Sequence, residues 1–508
     1  MRSSSILRRA ALVGGISLIA ASPAAAQELF VPYLVKDINP GAGDSPDSLT
    51  QVSGVLNGSV YFRADDGVHG LEIWKTDGTA AGTQMLTDLR PGPDGSFAMN
   101  LQIAGGQLYF HGVTSLPTGS KVFTSDGTAE GTTMLVDTWP AANIGFFGPE
   151  PPGAFTTYGD KVIFRATSEA EGLEMWITDG TPGGTSLLTD LHPGEQGSVP
   201  VAPTVFDGKV YFGADDKFTS TGGPFGVFDR ELFVTDGTAA GTVRLKDINP
   251  GPEPSRPEML QVLNNKLIFR ADDGTHGTEL WTSDGTEAGT QLLVDINPTG
   301  GSGSQFHTVV GDRMFFTADD GTHGSEIWLT DGTAAGTGMI RDINAAGDST
   351  VLYVTAAGDR VFFSADDGTH GSELWVSDGT SEGTRIVKDI NPGSDGASPM
   401  SLVSAGELVF FTTLLALDEG ATQTMLWMSD GSEDGTQMLF AEPGRSFGVS
   451  IDDMAVVGDK LIFFAPSEVD GDGFSFNREL HAVLIPEPGA GLALAGLGSV
   501  ALLRRRRR

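Results

Sequence analysis

The 508-residue chain contains no cysteine. No disulfide can support its fold, and no thiol can serve catalysis or bind a metal. Basic side chains are scarce as well: 31 Lys and Arg stand against 66 Asp and Glu, a formal charge of −35. A surface of that sign repels nucleic acid and anionic lipid and attracts divalent cations or basic partners. No apolar run reaches the roughly 20 residues that an unassisted membrane-spanning helix needs. What is plentiful is turn chemistry, with 70 Gly and 27 Pro beside 39% hydrophobic residues. That balance predicts many short strands joined by tight turns, an all-β chain.

Both ends differ from the middle. At the start, Arg2, Arg8 and Arg9 precede an apolar run from Ala10 to Ala21 and a small-residue site at Ala24-Ala25-Ala26. That order predicts a secretory signal peptide over residues 1–26, cleaved before Gln27. The Arg8-Arg9 pair raises the twin-arginine route, although its neighbours fit that motif poorly. At the other end, over residues 485–508, Pro486-Glu487-Pro488 precedes a 15-residue apolar stretch, Gly489 to Leu503, and five terminal arginines. Discounting the basic residues of both ends takes the charge from −35 to −43.

This tail resembles PEP-CTERM sorting signals, in which a Pro-Glu-Pro motif, a short hydrophobic helix and an arginine cluster follow in that order. The resemblance implies an exosortase-type processing enzyme as partner, transient membrane contact through the tail, and delivery to the outside of a Gram-negative cell, often one that makes exopolysaccharide. A plain tail-anchored helix is the alternative.

Between the ends the sequence repeats every 50 residues or so, about the length of a propeller blade. An aromatic strand of the KLIFRADD type recurs at Phe62, Phe110, Phe164, Phe212, Phe269, Phe316, Phe363, Phe411 and Phe463. An ELW-type strand recurs at Glu72, Lys121, Glu174, Glu231, Glu279, Glu326, Glu373, Met425 and Glu479. A segment of the LLVDINPG type carries its acid at Asp37, Asp88, Asp137, Asp190, Asp247, Asp295, Asp342 and Asp389, with a degraded copy at Glu442. The last series begins one unit early and ends one unit early, so each chain end supplies what the other lacks. Four short strands per unit, here named a to d, predict a β-propeller over residues 27–484, closed by pairing of its N- and C-terminal strands. There are nine units, and eight or nine blades are expected because the second unit, KVFTSDGT, lacks both Glu and Trp.

The core motif, ELWxSDGTxxGTxLLxDINPG, resembles the ELWxxDGT repeat of large secreted bacterial proteins, a family defined by pattern rather than by activity. Asp-Gly-Thr between strands c and d reads as a turn. Trp74, Trp176, Trp281, Trp328, Trp375 and Trp427 share one strand-c position, with Phe123 and Phe233 filling it elsewhere. A large aromatic repeated there is expected to pack between blades, the other reading being a row of sugar platforms.

The ADDGTHG loop between strands b and c has full copies at Asp65-Asp66, Asp272-Asp273, Asp319-Asp320 and Asp366-Asp367, each followed three residues after the second Asp by His69, His276, His323 or His370. Paired carboxylates with a following Glu such as Glu279 could coordinate calcium, yet the spacing is not that of an EF-hand and Asp-Gly is also ordinary turn chemistry. Asp470-Gly471-Asp472-Gly473 poses the same choice. No nucleophile-base-acid order stands apart from the repeat. The departures from it are insertions: Lys217 to Arg230, Leu414 to Thr424 and Ser467 to Arg478 between strands b and c, and Ala141 to Phe155 between d and a. Strand parity puts all four on one rim, with Phe218, Phe225 and Phe474 among them, either as binding elements or as surface drift. The reading that follows is a secreted or cell-surface, non-catalytic scaffold for protein or exopolysaccharide contacts. A polysaccharide hydrolase or lyase with its centre among the insertions, or a structural surface component, are the alternatives.

Overall fold

The computed structural model describes residues 31–40, 54–115, 120–137, 153–194, 197–219, 227–416, 422–441, 454–469 and 475–485. Blade 5 shows why the repeat folds as it does. Its strands are Glu258–Leu263, Lys266–Asp272, Thr278–Ser283 and Gln291–Val294, paired antiparallel in chain order. Along strand b, Leu267, Phe269 and Ala271 pack toward blade 4 while Ile268 packs toward blade 6. Period-2 alternation that is apolar on both sides suits a sheet stacked between two others. Burying one such Phe contributes roughly 1.5 to 3 kcal/mol.

Nine sheets of this kind follow one another, eight of them four-stranded and the first three-stranded among the described residues. The chain is a nine-bladed β-propeller. The second unit forms a full blade, Met99–Ala104, Gln107–Gly112, Lys121–Ser125 and Thr133–Asp137, so nine of the expected eight or nine blades are present. Apart from a 3-10 turn at Pro182–Gly184, the described residues form no helix. The hydrophobic core is divided into nine clusters, each shared by two neighbouring blades. Trp74, Trp281 and Trp375 sit in these clusters, as expected of inter-blade packing.

Closure follows the split unit. Tyr33–Lys36 pairs with Ser475–Leu484, Tyr33 opposite Ala482 and Lys36 opposite Leu480, and completes a sheet with Lys460–Val469 and Met454–Val457. Val35 and Ile38 enter the cluster that holds Phe464 of this ninth blade and Phe62 of the first. The amide of Ile38 donates to Glu479 Oε2 at 3.2 Å across 441 residues of sequence. Closing the ring removes the exposed end edges on which other strands could pair.

Strand a is innermost, since the a strands of successive blades contact one another. Strand order then sets two rims. The a–b and c–d turns lie on one, and the b–c loops and d–a connectors lie on the other.

Candidate functional site

The turn rim is uniform. In blade 7, Asp378 Oδ1 accepts from the amide (2.8 Å) and hydroxyl (2.7 Å) of Thr380, and the Thr380 hydroxyl accepts from Gly383 N at 2.9 Å. The same arrangement occurs at Asp77, Asp126, Asp179, Asp236, Asp284, Asp331 and Asp430. Two glycines are required for different reasons. Gly379 has φ +86°, while a Cβ on Gly383 would lie 2.1 Å from Asp378 Oδ1. The Thr380 hydroxyl and amide hold the Asp378 carboxyl below the ordinary carboxylate range. These turns are structural, as the sequence indicates.

On the loop rim, the ADDGTHG carboxylates serve their own backbone. Asp272 Oδ1 accepts from Gly274 N at 2.7 Å, and Asp273 Oδ1 accepts from the amides of Thr275 and His276 at 2.9 Å. Asp273 Oδ2 lies 2.8 Å from His276 Nδ1. Asp65-Asp66, Asp319-Asp320 and Asp366-Asp367 repeat the pattern with His69, His323 and His370. The hydrogen bond that each imidazole donates to its Asp raises the ring above its ordinary range. Burial pushes Asp273 up, but the amide and ring of His276 outweigh it and the net shift is downward. Among the described residues no group of three or more His, Asp or Glu side chains could hold a metal ion. Two carboxylates per loop would supply only part of the 6 to 8 oxygen ligands that calcium takes, the rest coming from backbone carbonyls and water.

Each loop also joins two blades. Gly274 lies against Asn249 of the preceding connector, 2.7 Å from a Cβ to its Oδ1, and Gly277 lies against Gly301 of its own. The buried Glu of the ELW strand holds that own connector. Glu279 accepts from the amides of Ile296, Asn297 and Ser302 at 2.9 to 3.2 Å, and Glu231 from Ile248, Ser255 and the Ser255 hydroxyl at 2.7 to 3.2 Å. Burial pushes Glu72, Glu174, Glu231 and Glu373 up to about 7 against these donors. The sequence marks Glu279 as a candidate ligand for a cation; the structure turns it onto backbone amides.

Blade 2 solves the same problem with the opposite charge. Lys121 replaces the Glu, is buried, and forms an ion pair with Asp137 at the end of its own strand d. Blade 4 departs further, at the root of the Lys217 to Arg230 insertion. There Asp215 and Asp229 are buried, with Arg230 3.6 Å from Asp215 and Arg244 3.6 Å from Asp229 and 3.4 Å from Asp247.

The b–c insertions lengthen hairpins on the loop rim, as parity predicts. In blade 4 the paired strands reach Lys209–Thr219 and Val227–Thr235, in blade 8 Leu408–Ala416 and Thr422–Ser429, and in blade 9 Lys460–Val469 and Ser475–Leu484. Phe218 pairs with Phe228 in the blade 4 hairpin. Phe225, Phe474, Asp470, Asp472, most of Ala141 to Phe155, the signal segment and Pro486-Glu487-Pro488 lie outside the described residues.

One feature of this rim has no counterpart in the sequence reading. Near its start, strand a holds a non-glycine residue in the left-handed region in seven consecutive blades, at Asn100, Ala154, Ala202, Met259, Phe306, Tyr353 and Ser401, with φ between 51° and 59°. The ladder shows why. Leu352 pairs with Ser364 and Thr355 with Phe362, so strand a carries one residue more than strand b and bulges at Tyr353-Val354. The bulges are tied together across blades, as where the Thr308 hydroxyl donates to Phe306 O at 3.2 Å or, in its other acceptor position, to Val354 O of blade 7 at 3.0 Å.

No family model and no curated protein matches the chain. Solved structures similar in shape include one from a study of two prolyl endopeptidases, at TM-score 0.41 and 15% identity over 74% of this chain and 53% of that one. A puromycin hydrolase gives 0.35 and 14% over 82% and 60%, and a puromycin-hydrolysing peptidase of Mycobacterium tuberculosis 0.39 and 12% over 77% and 60%. The chain thus spans 53 to 60% of those chains, and likeness this distant says nothing of its activity.

Proposed function

We propose that the protein is an exported, non-catalytic scaffold of the cell surface, whose loop rim makes protein or exopolysaccharide contacts. The observation that supports it most is the contrast between a uniform turn rim and a loop rim where hairpins of blades 4, 8 and 9 are extended. A rigid ring with irregular loops on one face is a platform for binding. The reading needs no calcium, since the loop carboxylates already accept from their own amides. The N-terminal 26 residues would direct export, and an exosortase-type enzyme would process the chain at Pro486-Glu487-Pro488. Fractionation of a Gram-negative host, with mass spectrometry of both termini, tests this. Intact termini on a cytoplasmic product would overturn it.

A second reading, a secreted polysaccharide hydrolase or lyase, is favoured by one observation: the buried Asp215 and Asp229, with the half-buried Arg230, Arg244 and Asp247 around them, below the blade 4 insertion. Shortening of a polysaccharide by the purified protein, abolished in Asp229→Asn, would decide for it.

A further inference from the structure

We propose that blades 5, 6 and 7 form a bay that binds an uncharged polysaccharide, with Met259, Phe306 and Tyr353 at its inner edge and the three ADDGTHG loops as its floor. The inference deepens the contact reading above and rests on it.

The bay is bounded by strand lengths. Strand b has 7 residues in blades 5, 6 and 7 but 11 in blade 4 and 9 in blade 8. At a rise of about 3.3 Å per residue, the hairpin of blade 4 stands roughly 13 Å higher and that of blade 8 about 7 Å higher. The three short blades therefore lie between two walls.

Their inner edge differs from the rest of the ring. The left-handed position holds Asn100, Ala154, Ala202 and Ser401 in blades 2, 3, 4 and 8, but Met259, Phe306 and Tyr353 in blades 5, 6 and 7. A bulky side chain is the costliest choice for that backbone, where Asn is tolerated best. Tyr353 is 42% exposed and Leu352 beside it 39%, so at Tyr353 burial does not offset the strain, while Met259 and Phe306 are half-buried. Strain of this kind points to a function that needs the side chain. Behind the edge, Asp272, Asp319 and Asp366 each use one oxygen on a loop amide, which leaves the other open to a hydroxyl donor. His276, His323 and His370 bind Asp through Nδ1 and are 38 to 41% exposed, which makes Nε2 available as a further polar contact.

Two properties of the bay select the ligand. Three like sites side by side match a ligand that repeats, and aromatic edges with acceptors behind them match sugar rings, which are apolar on their C–H faces and hydroxylated at their rims. A chain with a formal charge of −35 opposes uronic or sulfated polymers.

Native gels containing hydroxyethyl cellulose or dextran, with alginate as the anionic probe, test the proposal on the full mature chain. The expected result is retardation by an uncharged polymer and none by alginate. Tyr353→Asn should weaken binding about tenfold, with a melting temperature equal to or above that of the parent, because Asn accepts the left-handed backbone more readily. Tyr353→Phe should retain binding. Equal retardation of parent and Tyr353→Asn overturns the bay and leaves the contact reading standing. No retardation by either uncharged polymer overturns the bay, and capture of a protein alone by cross-linking on cells does so while turning the contact reading toward protein partners.

Discussion

The two rims of the ring are built from the same residue types and behave differently. On the turn rim, Asp378 and its seven counterparts are satisfied within five or six residues, so each turn is closed on itself. On the loop rim, satisfaction is reached across longer spans: Glu279 binds amides 17 to 23 residues away, and Gly274 packs on the connector of the blade before. A self-contained turn can be copied unchanged into every blade. A rim whose loops bridge blades transmits any local change to its neighbours, and this is the rim on which the repeat varies.

The sharpest test of that difference is Glu279→Ala. It strips the amides of Ile296, Asn297 and Ser302 of their acceptor inside the protein, and a loss of about 3 kcal/mol in unfolding free energy is expected by chemical denaturation. Glu279→Gln keeps a carbonyl acceptor and should cost less than half as much. Equal, small losses for both would mean that the connector does not depend on the buried side chain.

Acidity should separate the rims next. Burial pushes Glu72, Glu174, Glu231 and Glu373 up to about 7 in the folded chain, above the ordinary 4.5 of a free Glu. The unfolded chain therefore ionises first, and their contribution is complete below the unfolded pKa and is lost as pH rises through 7. Asp88 beside Glu72 and Asp247 beside Glu231 reinforce the shift. The turn-rim Asp77 and Asp378 are shifted down, so their contribution is present above 3.8 and is lost as pH falls through the lower folded value. The melting temperature should peak near pH 4 to 5 and decline toward pH 8 (~). Glu231→Gln should flatten the decline on the alkaline side. A melting temperature that climbs steadily to pH 8 would show that these carboxyls are ionised when folded.

Architecture was legible because it depends on residue types that recur. Phe269 and its counterparts mark strand b, Trp281 marks the inter-blade side of strand c, and the segment from Leu34 to Ile38 could only complete a unit begun by Glu479. Two features were not legible. Lys121 looks like decay of the motif, but this buried lysine and the exposed Asp137 restore a polar tie with the charge moved to the other side. The left-handed belt is set by an extra residue in the ladder, and six different residue types at the seven positions from Asn100 to Ser401 hide a single backbone conformation. The same variation that hides the belt in sequence is what singles out blades 5 to 7.

Within the turn rim itself, Asp378→Ala should cost about 1 kcal/mol, the usual effect of losing a capping acceptor, with no change in pH dependence above pH 5. Smaller still is the effect of chelation. Each ADDGTHG loop already gives its two carboxylates three amide donors and one imidazole, all at 2.7 to 2.9 Å. Such a loop is held in shape by these bonds without a cation, whereas a loop built around calcium would leave its carboxylates facing each other and would loosen when the ion is removed. Melting with and without EDTA should therefore agree within about 1 °C. A fall of several degrees, restored by calcium and lost in Asp273→Asn, would reverse the comparison and make the loop rim, not the turn rim, the one held by bound ions.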